Sequence, residues 1–150
     1  MGIIKDEAIH LLIERIQKVE KDRQPLWGKM NSTEMLAHCS TSIKMAYGDI
    51  PVKFRTGKFK SAMYRFLIVD LLPFLKYLPA PPEIRVGKKL QVIGDFDTER
   101  NQLITQLTRI KETPNDFVFG PHPIFRHMSG KKWGKLAVKH LDHHLRQFGV

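Results

Sequence analysis

Ser129-Gly-Lys-Lys-Trp133-Gly134-Lys-Leu136-Ala137-Val-Lys139-His140-Leu-Asp142-His143-His144-Leu-Arg146-Gln147-Phe148-Gly149 is the stretch on which the reading of this chain turns. Ser129 is placed to accept the first free amides of a helix over Lys131–Phe148, and Gly149 falls where such a helix turns left-handed and stops. With Trp133 at zero and about 100° per residue, Leu136, Ala137, His140, His144, Gln147 and Phe148 lie within roughly 60° of it. That stripe faces a core. His140 and His144 sit near its centre, one turn apart, where two imidazole nitrogens can reach one metal ion at about 2.0–2.1 Å. The same pair near a helix C-terminus also suits the helix dipole with no metal at all. His143 lies roughly 80° off the centre and is the worst placed of the cluster for a shared site.

Working outward, four more stretches have helical spacing. The first runs from about Lys5 to Lys21, with Ala8, Leu11, Leu12, Ile16 and Val19 on one face, and Gln24-Pro25 breaks it. Asn31-Ser-Thr-Glu34 reads as a variant capping box opening a second helix to about Tyr47. Ser61–Leu78 is strongly apolar yet contains Arg65, Asp70, Pro73 and Lys76, so it reads as a kinked helix rather than a membrane span. A fourth helix is expected after Asp95, to about Lys111. Pro114–Met128 is a proline-punctuated loop, and Ile84–Val92 can pair locally. The expected fold is all-α: an antiparallel four-helix bundle with an extra helix and loop inserted between its second and fourth helices, in one domain over residues 1–150.

A third ligand for the histidine pair would have to come from another inward face, and His38 on the second helix is the candidate. On the wheel it stands nearer the margin of the apolar stripe than its centre, which points it at a cleft, with Ser42 and Met45 on its side. His38, His140 and His144 would leave coordination positions open, as catalytic rather than closed structural sites do. Of the other histidines, His10 is expected on the surface, and His122 and His127 read as loop-surface residues at the mouth of a pocket. Asp142 falls on the outer side of the last helix. Cys39 follows His38 but points about 100° away, so the pair is no ready dyad, and a small buried hydrophobe is its expected role.

Composition narrows the function classes. With one cysteine among 150 residues, neither an internal disulfide framework nor a cysteine zinc ribbon can form. Met-Gly-Ile-Ile-Lys-Asp6 lacks the apolar run of a secretory leader, and Asp6 occupies the place where a myristoylation motif needs Ser or Thr. The expectation is a soluble cytoplasmic protein. Lys and Arg total 25 against 15 Asp and Glu, a formal net charge of +10. Such a surface attracts polyanions or acidic small molecules without choosing among them. Lys53, Arg55, Lys58, Lys60 and Arg65 interleave with Phe54, Phe59 and Tyr64, a mixture suited to phosphates and stacking but matching no nucleic-acid reader motif.

Pro25-Leu-Trp27-Gly28-Lys-Met30, then Met35-Leu-Ala-His38, then His122-Pro-Ile-Phe125 and the closing stretch from Ser129 to Phe148 together resemble the DinB/YfiT-like metalloenzyme superfamily. The likeness is closest to a branch known only as a domain of unknown function. It anchors both ends of the chain and leaves Lys53–Val92 unmatched. It implies a four-helix bundle holding a divalent metal, usually zinc or nickel, on three histidines that fall here on His38, His140 and His144. It also implies thiol-dependent transferase chemistry with a low-molecular-weight thiol and a small-molecule substrate, metal-dependent hydrolysis being the alternative, and often a homodimer. In the first case Arg126 or Arg146 is the expected holder of an acidic thiol's carboxylates. In the second, Glu34, one turn before His38, is a possible proton carrier, although capping is its expected work. A non-enzymatic basic protein binding nucleic acid or another anion is the reading from a different class.

Overall fold

The structure, a computed structural model, describes residues 2–150; Met1, the first residue of the stretch read above for a leader, lies outside them. Helix α1 (Asp6–Gln17) carries Asp6 and Glu7 in its first turn and buries Ile9, Leu12 and Ile16. It stops a turn earlier than the apolar spacing suggests. Lys18 and Val19 already bond to carbonyls three residues back, so the helix tightens and ends while Val19 stays in the core. Helix α2 (Ser32–Ala46) begins on the reciprocal cap the sequence announces: the Glu34 amide donates to Asn31 Oδ1 and the Asn31 amide to Glu34 Oε2, both at 2.9 Å. This cap occupies the Glu34 carboxylate at the solvent end of the helix.

Helix α3 (Lys58–Tyr64) runs directly into a π-helical segment, Arg65–Leu71. The expected kink at Pro73 is therefore a stop instead. Leu72 is extended, as the residue before a proline prefers, and its amide bonds five residues back to the Leu67 carbonyl at 2.7 Å. The carbonyls this leaves free are taken by the last helix: Lys139 Nζ donates to Ile68 and Val69 and to Leu72, while Lys132 Nζ pairs with Asp70 at 2.5 Å. Basic residues on the outer flank of the closing stretch thus hold the insertion over it. Only Val69 of the π segment is fully buried. Phe66, Leu71 and Tyr77 are largely exposed, so the apolar run supplies little core.

Helix α4 (Phe96–Glu112) starts on Asp95, whose side chain accepts from the Thr98 amide, and α5 (Gly130–Gln147) starts on Ser129, which accepts from Lys132. Both ranges agree with the reading to within a residue. Gly149 has φ 77°, the left-handed end anticipated for it. Among the described residues the regular elements are all helical and no strand forms; residues 84–92 contribute one isolated bridge, Val86 to Leu90. None of the helices is long and apolar enough to cross a membrane.

Helix α2 packs on α4 and α5, and α1 on the same two. The seam is filled by Ile9, Ile16, Leu36, Leu103, Leu107, Leu141 and Leu145. A second cluster, including Met45, Val69, Ile84, Phe119, Phe125, Trp133 and Leu136, joins α2 and α5 to the insertion and the 114–128 loop. Close approach at one point requires glycine: a Cβ on Gly134 would sit 2.5 Å from the Ile3 carbonyl oxygen, so the N-terminal segment lies directly against α5. The two clusters leave a space between α2 and α5, roofed by the insertion, and the histidines open onto it.

Candidate metal centre

His38 is set by α2 and the other two by α5. The cap and the Met35–Cys39 face lock α2 against the core. In α5 the buried stripe of Trp133, Leu136, His140, His144 and Gln147 follows the helical wheel. Nε2 of His38 is 2.9 Å from Nε2 of His140, which is 3.1 Å from Nε2 of His144. All three residues are buried, and one ligand atom from each lies within 4.8 Å of the others, a grouping that can hold a metal ion.

The far nitrogens are each engaged. His38 Nδ1 donates to the Ile84 carbonyl at 2.7 Å. His144 Nδ1 donates to Gln147 Oε1 at 2.7 Å, and the orientation of that amide is fixed because its Nε2 donates to the Trp27 carbonyl at 2.7 Å. Ser42 Oγ lies 2.8 Å from the Cys39 carbonyl and 3.2 Å from His140 Nδ1, and with its proton on the carbonyl it accepts from that nitrogen. His38 and His144 are thereby held with the proton on Nδ1 and the lone pair on Nε2, and so is His140 when the Ser42 proton is on the Cys39 carbonyl. Three lone pairs then converge with no proton left to share among them. That arrangement is repulsive unless a cation stands between them or the Ser42 hydroxyl turns to donate to His140 Nδ1, which moves the His140 proton to Nε2.

Electrostatics point the same way. Burial pushes the His144 imidazole down to about 3 and the His140 imidazole well below its ordinary range, with the neighbouring histidines adding to both. His38 is also lowered, mainly by burial, although the Ile84 carbonyl works against it. Neutral imidazole is the form that binds metal, so the site is ready at neutral pH.

The space beside the triad is a cavity of about 550 Å³ walled by Met45, Tyr64, Ile68, Phe74, Ile84, Phe119, Trp133 and Leu136, among others. Among the described residues no Asp or Glu lines it. His143 reaches the wall, with its ring 5.1 Å from Phe74 and 5.5 Å from Trp27, but it stands outside the converging set. His38 is both buried and at the cavity, so it faces the cleft expected for it while being shielded from bulk solvent.

Several expectations are corrected. His122 is not a surface residue: the 114–128 loop folds back over the cavity, and the ring stacks on Phe125 at 4.5 Å while Nδ1 accepts from the Ile124 and Phe125 amides. His127 does stay exposed, as does His10. Neither Arg126 nor Arg146 lines the cavity. Arg126 lies over Phe54 and bonds the Thr56 carbonyl, and Arg146 pairs with Asp142, which also takes Arg15. The arginine of the wall is Arg85, whose Nε and Nη2 are turned onto the Ala80 carbonyl. Cys39 is fully buried, and burial pushes its thiol up, away from nucleophilic use.

Part of the basic and aromatic run is absorbed by structure, while Lys58, Lys60 and Phe59 stay exposed. Arg55 pairs with buried Glu83 at 3.0 Å, Arg65 binds the Phe125 and His127 carbonyls, and Phe54 lies under Arg126. Gln147 and Ser42 belong to the site although spacing alone gave them no role there. The i, i+3 relation of His144 to Gln147 was the available signal; that of the Ile84 carbonyl had none, because backbone 46 residues away leaves no mark on the pattern.

The family model described as Protein of unknown function (DUF1569) matches residues 5–149, and the chain belongs to that family. No curated protein and no solved structure matches it.

Proposed function

We propose, for a chain whose family has no assigned activity, a divalent-metal-dependent enzyme with His38, His140 and His144 as the ligands and a small apolar molecule as the substrate. The observation that carries this reading is the convergence of three buried Nε2 atoms, each with a hydrogen-bond partner at the opposite ring nitrogen. The observed 2.9 and 3.1 Å separations are short enough for all three nitrogens to reach one ion with bonds of about 2.0–2.1 Å. Zinc and nickel both suit neutral imidazoles, and three ligands gathered on one side leave the cavity side open.

The reaction we favour is thiol-dependent transfer using a low-molecular-weight thiol. A bound ion would hold the sulfur as thiolate at neutral pH. The protein's share is to keep the three imidazoles neutral, to exclude water with the apolar wall and to hold the electrophile beside them. Hydrolysis at the same site is the weaker reading, because among the described residues no carboxylate lines the cavity and His122 and His143 would have to manage water's protons. Glu34, the residue considered for it, is engaged in its cap. The nucleic-acid reading loses ground with Arg55, Arg65 and Phe54 already partnered.

The same reading takes α1, α2, α4 and α5 as an antiparallel four-helix bundle of the DinB/YfiT kind, in one cytoplasmic domain. The exposed Phe66, Leu71 and Tyr77 favour a homodimer. Turnover of an apolar electrophile with a thiol, present with zinc or nickel and absent in His144→Ala, is the expected result. Equal turnover after chelation would remove the enzyme reading, and turnover that needs no thiol would replace transfer with hydrolysis.

A further inference from the structure

The cavity wall holds one polar group whose orientation is settled and which the triad does not use. His122 Nδ1 accepts two backbone amides, Ile124 and Phe125, each at 3.1 Å, so its lone pair is there and its proton is on Nε2. Among the described residues that N–H has no partner. It is not sealed either: the buried side-chain atoms without partners are Trp27 Nε1, Ser40 Oγ, Ser61 Oγ and Glu83 Oε2. The residue as a whole is 6% exposed and is one of those lining the cavity. Burial keeps the ring neutral, far below its ordinary titration range, although the Glu83 carboxylate works against it, so it can donate without carrying charge.

The donor is also rigid. His122 and Arg126 exchange backbone hydrogen bonds at 2.8 Å in both directions, closing the loop on itself. The loop is then fixed at both flanks: Trp133 Nε1 donates to the Gly120 carbonyl, the Arg55 amide to Pro123, and Thr56 Oγ to Ile124. A neutral donor held this firmly in an apolar enclosure costs little reorganisation when an acceptor arrives, and its hydrogen bond is stronger than the same one in water.

We propose that His122 Nε2–H is the substrate-binding donor of this site, and that the site takes apolar electrophiles bearing a carbonyl-type oxygen. The donor stands on its own geometry; the reaction assigned to it rests on the thiol-transfer reading above. In that reaction the thiolate sulfur's lone pair forms the S–C bond, the C=O π bond breaks, and its electron pair moves onto the oxygen. His122 keeps its proton and hydrogen-bonds that oxygen more tightly as the charge grows. The adduct takes its proton from solvent as it leaves the site.

The test separates donor from metal by using metal-free and zinc-loaded protein in parallel. The probes are 2-acetylnaphthalene and 2-isopropenylnaphthalene, matched in shape and differing in C=O against C=CH2. Wild-type protein in both forms is expected to bind the ketone about tenfold more tightly. His122→Asn keeps a side-chain oxygen where Nδ1 stood, for the two amides, and removes the Nε2 donor; it should bind both compounds alike. In wild-type protein, the Nε2–H proton resonance should move with the ketone and not with the alkene, a reading that does not depend on the variant folding. No preference in wild type, a preference surviving in His122→Asn, an unmoved Nε2–H resonance, or failure of both probes to bind would each overturn the proposal. A preference present in metal-free protein and unchanged by zinc would keep the donor while withdrawing support from a reacting centre beside it.

Discussion

Replacing Gln147 by leucine separates a metal centre from a buried histidine cluster. The side chain is buried, with Oε1 accepting from His144 Nδ1 at 2.7 Å and Nε2 donating to the Trp27 carbonyl at 2.7 Å. Leucine fills a similar volume and makes neither bond. Without the acceptor, His144 can rotate or move its proton to Nε2, the atom needed for the ion. Loss of such an outer partner typically costs about 10–100-fold in metal affinity, or about 1.4–2.8 kcal/mol. The orphaned carbonyl and N–H add a folding cost of about 1–3 kcal/mol each, so at about 2–4 °C per kcal/mol the melting temperature should also drop. Gln147→Glu divides the two effects: a carboxylate still accepts from His144 but cannot donate to Trp27. Competition against a chromophoric chelator at neutral pH should show weak zinc binding in Gln147→Leu and affinity near wild type in Gln147→Glu, with both variants less stable. Equal zinc affinity in Gln147→Leu and wild type would refute the assignment of Nε2 as the ligand atom.

Other perturbations have equally definite outcomes. Burial holds His122 and His144 near 3 in the folded chain against about 6.5 unfolded, so the unfolded chain takes up protons first as pH falls. Their contribution is complete above about pH 6.5 and drains toward pH 3, at up to about 1.4 kcal/mol per pH unit for each, and the melting temperature of metal-free protein should fall between pH 7 and 5. Gly134→Ala places a methyl group 2.5 Å from the Ile3 carbonyl, and calorimetry should find a loss of about 1–3 kcal/mol. Cys39 should resist a thiol reagent in the native protein and react fully in denaturant, because it is buried with a raised pKa.

The helix termini were legible because their signals are local. Asn31 with Glu34, Asp95, Ser129 and Gly149 each satisfy or end a helix through bonds within a few residues, and the structure uses all four. The gathering of His38 with His140 and His144 was legible through periodicity, which fixes the face of a helix even when its partner is a hundred residues away. What stayed hidden depends on where a loop comes to rest. His122 reads as a surface histidine in a proline-rich loop until that loop is anchored at Gly120, Pro123 and Ile124, and only then is it buried against Phe125. The π segment is similar: its Ile68 and Val69 carbonyls are taken by Lys139 of α5, about 70 residues away in the chain. Arg126 and Arg146 failed as pocket cations for a related reason, since each finds a nearer partner on the surface.

Elemental analysis of untagged protein, beside the His38→Ala/His140→Ala variant, addresses the central claim most directly. The account predicts about one divalent ion per chain in the wild type and none in the variant. Wild-type protein that stays metal-free after dialysis against zinc and against nickel at neutral pH would contradict it.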